Sequence, residues 1–253
     1  MKTASSAGKG LLLLLLWAWV QPACAEGAAA VVVSLTGTVS AQKPGGKIRA
    51  LAKDSALMPG EIVLTEKGSS ARLRFADDST VALRPGSRLV IENFNYDVAK
   101  PESDSLVLNL VKGGMRAVSG AVGKRGNQAA YSAQTSAGTI GIRGTDYALL
   151  MCEKRGKDQE SNCSELDVPE DRRSDGAPVE GMYLTVFEGT IAVANDSTET
   201  VFHQGKSGYV KDKNTAPLEL PKEPGLAREF PSVGNLPGAP TPFGGAAGAC
   251  LVR

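Results

Sequence analysis

The side chains able to do chemistry are few and poorly placed for it. His203 is the only histidine in the 253 residues. A Ser-His-Asp triad would have to use it, yet the chain holds no G-x-S-x-G elbow, and Phe202 and Gln204 put His203 in a strand-like stretch. One histidine also excludes most zinc and iron constellations. Gln204-Gly205-Lys206-Ser207 has the look of the end of a phosphate loop. Such a loop needs a glycine five residues before Gly205, where Thr200 stands, and a helix after it, where Gly208-Tyr209-Val210 reads as turn and strand. Gly138, Gly141 and Gly144 are spaced by three, which is not the dinucleotide spacing. Glu165, Asp167, Glu170, Asp171 and Asp175 do not fit an EF-hand loop and have Arg172 and Arg173 among them. They read as a solvated mixed-charge loop. No carboxylate pair is singled out for glycosidase chemistry. No catalytic, metal-binding or cofactor-binding residue is assigned, no cofactor is expected, and the chain is read as non-enzymatic.

The cysteines point to an oxidising compartment. Cys152 and Cys163 flank a short polar stretch and are expected to form a disulfide. A zinc site is the alternative, but no histidine or fourth thiol supports one. Cys250 is the odd one out.

Residues 1–25 read as a secretory signal. Lys2 and Lys9 give the positive start, residues 10–20 (GLLLLLLWAWV) the apolar stretch, and Ala23-Cys24-Ala25 the small-x-small cleavage pattern, with cleavage expected after Ala25. The apolar run is shorter than the ~20 residues a spanning helix needs. A lipoprotein acylated at Cys24 is disfavoured, because Gln21-Pro22-Ala23 lacks the usual Leu three positions ahead. No integral membrane segment is expected after signal cleavage, so the product is placed in the periplasm or outside the cell. Cleavage removes two lysines and no acid, which turns a net charge of +1 into about −1. With no basic excess or stripe, nucleic-acid binding is not expected. Trp17 and Trp19 leave with the signal, so few aromatics remain to stack on sugars.

The elements that must position any site are strands. From residue 30 to residue 210 the apolar pattern has period two: Ala71, Leu73 and Phe75, then Leu106, Leu108 and Leu110, then Met182, Leu184 and Val186. The runs are four to eight residues long and end at turn signals such as Pro59-Gly60, Asp77-Asp78, Pro85-Gly86, Gly113-Gly114 and Glu188-Gly189. The expected fold is all-β, a single solenoid-like or two-sheet domain of short strands over residues 30–212, with a barrel or sandwich as the alternative. Residues 120–130 read as a flexible, partly basic connection. Residues 153–180 read as an exposed polar insertion, and residues 217–253 as a Pro/Gly/Ala-rich extended tail.

The order of motifs along these strands resembles the FecR domain. Gly37-Thr38-Val39, Leu57-Met58-Pro59-Gly60-Glu61 and the segment 65–73 (TEKGSSARL) match its opening. Phe75-Ala76-Asp77-Asp78-Ser79 and Leu83-Arg84-Pro85-Gly86-Ser87 match its acidic turn and Leu-x-Pro-x-Ser step. Segment 108–115 (LNLVKGGM) is similar to its Leu-x-x-Gly strand pair, and Ile142-Arg143-Gly144-Thr145-Asp146-Tyr147 to its Val-Arg-Gly-Thr-x-Phe signature, the most specific match. Segment 186–193 (VFEGTIAV) is similar to its Glu-Gly-x-Val-x-Val hairpin, and Gln204-Gly205-Lys206 to its closing turn. The resemblance spans about residues 35–210 and departs from the pattern at Asp78, where a turn glycine is usual, which implies a different turn type.

The resemblance implies a sensing or signalling protein of the cell envelope. Signalling members of the family join this domain to a membrane helix and a cytoplasmic sigma-factor regulator. This chain reads as signal plus domain, so a stand-alone relative is expected. Arg143, Gly144, Thr145, Glu188 and Gly189 are the signature residues and are expected to be mainly structural, with Arg143 half-buried on a carboxylate or carbonyls. The leading function is a protein-binding module in envelope sensing and signalling, contacting an envelope partner by strand addition at a sheet edge or by its loops. A structural β-protein of a matrix or secretion apparatus is the alternative.

Overall fold

The computed structural model describes residues 27–125, 127, 129–153, 162–174 and 177–230. The expected signal peptide, Cys250 and residues 231–253 lie outside the described residues. In chain order the strands are β1 (Ala30–Thr36), β2 (Val39–Gln42), β3 (Ile48–Ala50), β4 (Ala56–Leu57), β5 (Ile62–Thr65) and β6 (Ser70–Phe75). Then come β7 (Thr80–Leu83), β8 (Arg88–Asn95), β9 (Ser105–Val118), β10 (Tyr131–Thr135) and β11 (Gly138–Cys152). The last are β12 (Arg173–Ser174), β13 (Ala177–Pro178), β14 (Gly181–Ala194), β15 (Glu199–His203), β16 (Ser207–Val210) and β17 (Leu218–Leu220), followed by one helical turn, α1 (Leu226–Glu229).

The fold is all-β. Apart from the small β12–β13 pair, the strands form one large mixed sheet that does not close into a barrel. Among the described residues its only parallel pairing is β9 with β10. Three strands are long, and each is shared between two layers. The first layer runs β4-β1-β6-β7, then the C-terminal half of β9, the C-terminal half of β11, the N-terminal half of β14, β16 and β17. The second runs β3-β2-β5-β8, the N-terminal half of β9, β10, the N-terminal half of β11, the C-terminal half of β14 and β15.

The alternating apolar residues make one core between the layers. Leu73, Phe75, Val81, Met115, Leu149 and Leu184 come from the first layer and Val63, Leu89, Ile91, Leu108, Ile140 and Ile191 from the second, all fully buried. Each such side chain contributes about 1.5–3 kcal/mol on leaving water. Contacts across the gap join the layers: Phe75 lies 5.6 Å from Phe94 between ring centroids, and the Tyr131 and Tyr147 hydroxyls meet at 3.1 Å.

Gly113-Gly114 and Glu188-Gly189 do not end strands. They lie inside β9 and β14, where those strands bend from one layer into the other, so the short runs expected there are halves of 14-residue strands. The connection after β9 is held rather than free. Asp77 Oδ2 accepts the Val122 N–H at 3.1 Å, Ala121 N–H donates to the Asp77 carbonyl, and Val122 is buried. Asp78 adopts φ 65°, the left-handed conformation a turn glycine would take, so its turn keeps the glycine-type backbone.

The insertion and the tail both pack further than their composition suggests. Cys152 and Cys163 are disulfide-bonded with Cα atoms 5.7 Å apart, and Leu166 and Val168 are buried with them. Residues 217–230 are not an extended tail: β17 pairs with β16, and Leu226 and Phe230 are buried.

Candidate binding groove

Outward-facing residues of the first layer line up across eight strands. One row reads Ser34, Arg72, Ala82, Arg116, Ala148, Thr185, Ser207 and Leu220. Over β11, β14 and β16 this face is covered by a second apolar cluster that includes Leu150, Tyr183 and Tyr209 from the sheet and Leu166, Leu226 and Phe230 from the returning segments. Over β1, β6 and β7 it is open. The boundary between the two halves is built from arginines.

Arg116 is the buried one. Its Nε and Nη2 donate to the two Asp146 carboxylate oxygens at 2.8 and 2.7 Å, its Nη1 donates to the Phe230 carbonyl at 2.6 Å, and its guanidinium lies 3.9 Å from the Phe187 ring centroid. That is a planar, bidentate arginine–carboxylate arrangement in which the third guanidinium nitrogen also donates, to a backbone carbonyl. Arg84, next to it, pairs with Glu229, donates to the Asn162 carbonyl at 3.3 Å and lies 5.8 Å from the Phe230 ring centroid. Burial pulls the Arg84 guanidinium below its ordinary pKa, and Glu229 and Glu165 oppose that pull. Phe230 fits because Gly114 carries no side chain: a Cβ there would stand 2.8 Å from the ring. Two arginines and a glycine socket thus fix the end of the described chain on the sheet.

Beside this boundary lies a groove of about 230 Å³. Its floor is Ser70, Ala71, Arg72, Ala82 and Leu83, one side is Ser34, Leu35 and Thr36 of β1, and the other is Arg84, Pro85, Glu229 and Phe230. The β1 side is a sheet edge. β1 pairs with β4 only at Ala30 and Val31, and Ser55 and Asp54 bond to Val32. Beyond that, Ser34, Leu35 and Thr36 have a ladder with β6 alone among the described residues. Hydroxyls, an arginine and an open strand edge suit an extended polypeptide better than bond-making chemistry. Among the described residues, no three His, Cys, Asp or Glu side chains gather as a metal site.

The signature residues sit elsewhere, at the two adjacent bends of β11 and β14. Arg143 pairs with Thr190 and Asp146 with Glu188 on either side of the bends. Gly144 has φ 59° and Gly189 φ 80°, and a Cβ on Gly189 would stand 2.3 Å from the Gly144 carbonyl oxygen and 2.9 Å from Thr145 Cγ2. Only glycine allows both the left-handed backbone and that approach. Thr145 is buried, and its N–H donates to Ser119 Oγ at 2.9 Å. Glu188 is exposed. Arg143 is exposed too, on the outer face of the second layer, not half-buried on a carboxylate; Arg116 is the arginine that anchors one. His203 is exposed with Nδ1 3.3 Å from Thr190 Oγ1, and Lys206 pairs with Glu219 at 2.6 Å.

The sequence did not single out Arg72, Arg84 or Arg116. The signal for Arg72 was present: it alternates with the buried Ala71 and Leu73, so period two already put it on an outer face.

The family model for FecR protein matches residues 61–168 of the chain. The match takes in the acidic turn and the Arg-Gly-Thr bend; Gly37-Thr38-Val39 and the β14 bend lie outside it. Two crystal structures from Parabacteroides distasonis ATCC 8503, each described provisionally as an anti-sigma factor, resemble the chain with 12% and 11% identity and TM-scores of 0.43. The likeness covers 66% of this chain and 62% of those chains. No curated protein is similar enough to count as a match.

Proposed function

We propose that the protein is exported, its signal peptide cleaved after Ala25, and that it acts in the periplasm or at the cell surface as a protein-binding module of envelope signalling, without catalysis. The FecR family match over residues 61–168 supports the signalling role. The Cys152–Cys163 disulfide supports an exported product, and among the described residues no helix is long and apolar enough to cross a membrane. The observation that carries the binding role is the open edge of β1 at Ser34, Leu35 and Thr36 beside the groove. An incoming strand there satisfies its own backbone groups and those of the edge together.

The test is a photo-crosslinking residue placed at Ser34 in the native host, with Ser132, on the outer face of the second layer, as the control position. An envelope signalling protein captured from Ser34 and not from Ser132 is the expected result. Equal capture from both positions, or none from Ser34, overturns the reading.

A further inference from the structure

We propose that the segment the groove accepts is acidic, an extended strand of a partner protein whose Asp or Glu side chain seats on Arg72. This rests on the binding reading above and names the chemistry of its partner. Arg72 is half-buried on the groove floor and has no acidic partner among the described residues. Glu229, which lines the groove with it, is committed to Arg84, and Asp146 is committed to Arg116. A partly desolvated guanidinium is matched best by a carboxylate, which it can bind with two parallel hydrogen bonds.

The spacing agrees. A strand added beside β1 stands about 4.8 Å from it and so roughly 9.6 Å from β6, which carries Arg72. The residue between is Ser34, paired directly with Arg72 and too short to block it. An extended arginine side chain therefore reaches across Ser34 to the incoming strand. The chain's own segment 231–253 is a poor occupant by charge, since it holds no Asp or Glu and carries Arg253.

The experiment uses the purified mature chain and two fluorescein-labelled eight-residue peptides, one alternating Glu with Val and the other Lys with Val, read by fluorescence anisotropy. The Glu peptide is expected to bind at least tenfold more tightly, Arg72→Glu to remove that preference, and Arg88→Glu, on the outer face of the second layer, to leave it unchanged. Circular dichroism confirms that each variant folds, and Arg72→Gln serves if the charge reversal does not, with a loss of about fivefold expected. Equal affinity for both peptides, binding of neither, or a preference that survives in the Arg72 variant overturns the proposal. A crosslink from Ser34 to a partner segment without Asp or Glu overturns it and leaves the binding role standing. A crosslink to residues 231–253, or to a second copy, overturns both.

Discussion

Replacing Gly189 with Ala tests whether the signature glycines shape the fold by close packing or only by backbone freedom. At φ 80° an alanine costs about 1–2 kcal/mol from the left-handed conformation alone. The new Cβ would also stand 2.3 Å from the Gly144 carbonyl oxygen, a backbone atom that cannot rotate away. Relieving that clash means parting β11 and β14 by roughly 1 Å at the bend, where Arg143 pairs with Thr190 and Asp146 with Glu188. Two ladder bonds weakened at about 1 kcal/mol each bring the total to about 3–4 kcal/mol. Gly205→Ala is the matched control, since Gly205 has φ 78° but nothing within 4 Å of its added Cβ. It should lose only the backbone cost.

Urea unfolding followed by far-UV circular dichroism reads the difference. With a slope of about 2 kcal/mol per molar, Gly189→Ala should unfold at a midpoint roughly 1 M below Gly205→Ala. In thermal melts it should fall by roughly 6–16 °C from the parent. Equal midpoints for the two variants would refute the packing argument and leave both glycines as turn residues only.

Five further outcomes are expected. Asp77 accepts from Ser79 N–H, Ser79 Oγ and Val122 N–H, so Asp77→Ala should cost about 3 kcal/mol by urea midpoint, and a loss under about 1 kcal/mol would show that the loop holds itself. Burial pushes the Asp77 carboxyl above its ordinary 3.8, against the bonds from Ser79 and Val122; its advantage over Asp77→Asn should therefore be largest below that value and shrink as pH rises through the raised one. Midpoints from about pH 3 to pH 6 check this, and an advantage that grows with pH would reverse the sign. Reducing the Cys152–Cys163 bond, 11 residues apart in sequence, should cost about 3 kcal/mol, and an unchanged midpoint in reductant would contradict it. Phe230→Ala should cost about 3–5 kcal/mol and open residues 217–230 to limited proteolysis before the sheet is cut. Thr145 Oγ1 is buried and has no hydrogen-bond partner among the described residues, so Thr145→Val should stabilise by about 1 kcal/mol, whereas a destabilised variant would reveal a hidden bond.

Much of the fold was legible because burial on a strand writes itself as alternation. Ala71, Leu73 and Phe75 face the core and Arg72 faces out, as period two requires. The long strands were not legible, since a glycine inside a bend and a glycine inside a turn leave the same local signal. Whether Glu188-Gly189 ends β14 or bends it depends on β11 lying alongside, a contact made by residues more than forty positions away. The same holds for Asp78, whose left-handed φ is a property of its turn and not of its residue type. The packing of residues 217–230 was hidden for another reason. Its anchors are a few apolar side chains in a Pro- and Gly-rich segment, and Phe230 docks only because Gly114 leaves a socket in β9. For the groove, the outward direction of Arg72 could be read, but not that this half of the face stays open while segments 162–174 and 217–230 cover the other.

The signature bends and the groove are physically connected. Gly189 packs on the Gly144 carbonyl, Gly144 N–H donates to the Gly123 carbonyl, and Thr145 and Ser119 exchange two bonds, N–H to Oγ and N–H to carbonyl. From that loop, Gly120 N–H donates to Ser79 Oγ and Val122 N–H to Asp77, which ties it to the β6–β7 turn. β6 and β7 are the floor of the groove and carry Arg72 and Ala82. A substitution at the Arg-Gly-Thr bend is therefore expected to reach the strands that present Arg72 through one continuous set of hydrogen bonds. Such a variant can lose partner binding without any signature residue touching the partner. Binding and stability measured on the same Gly189 variant separate the two routes. If Gly189→Ala still folds at low temperature but binds the Glu peptide more weakly than Gly205→Ala does, the bend acts through the floor of the groove. Equal binding by the two variants would confine its effect to stability.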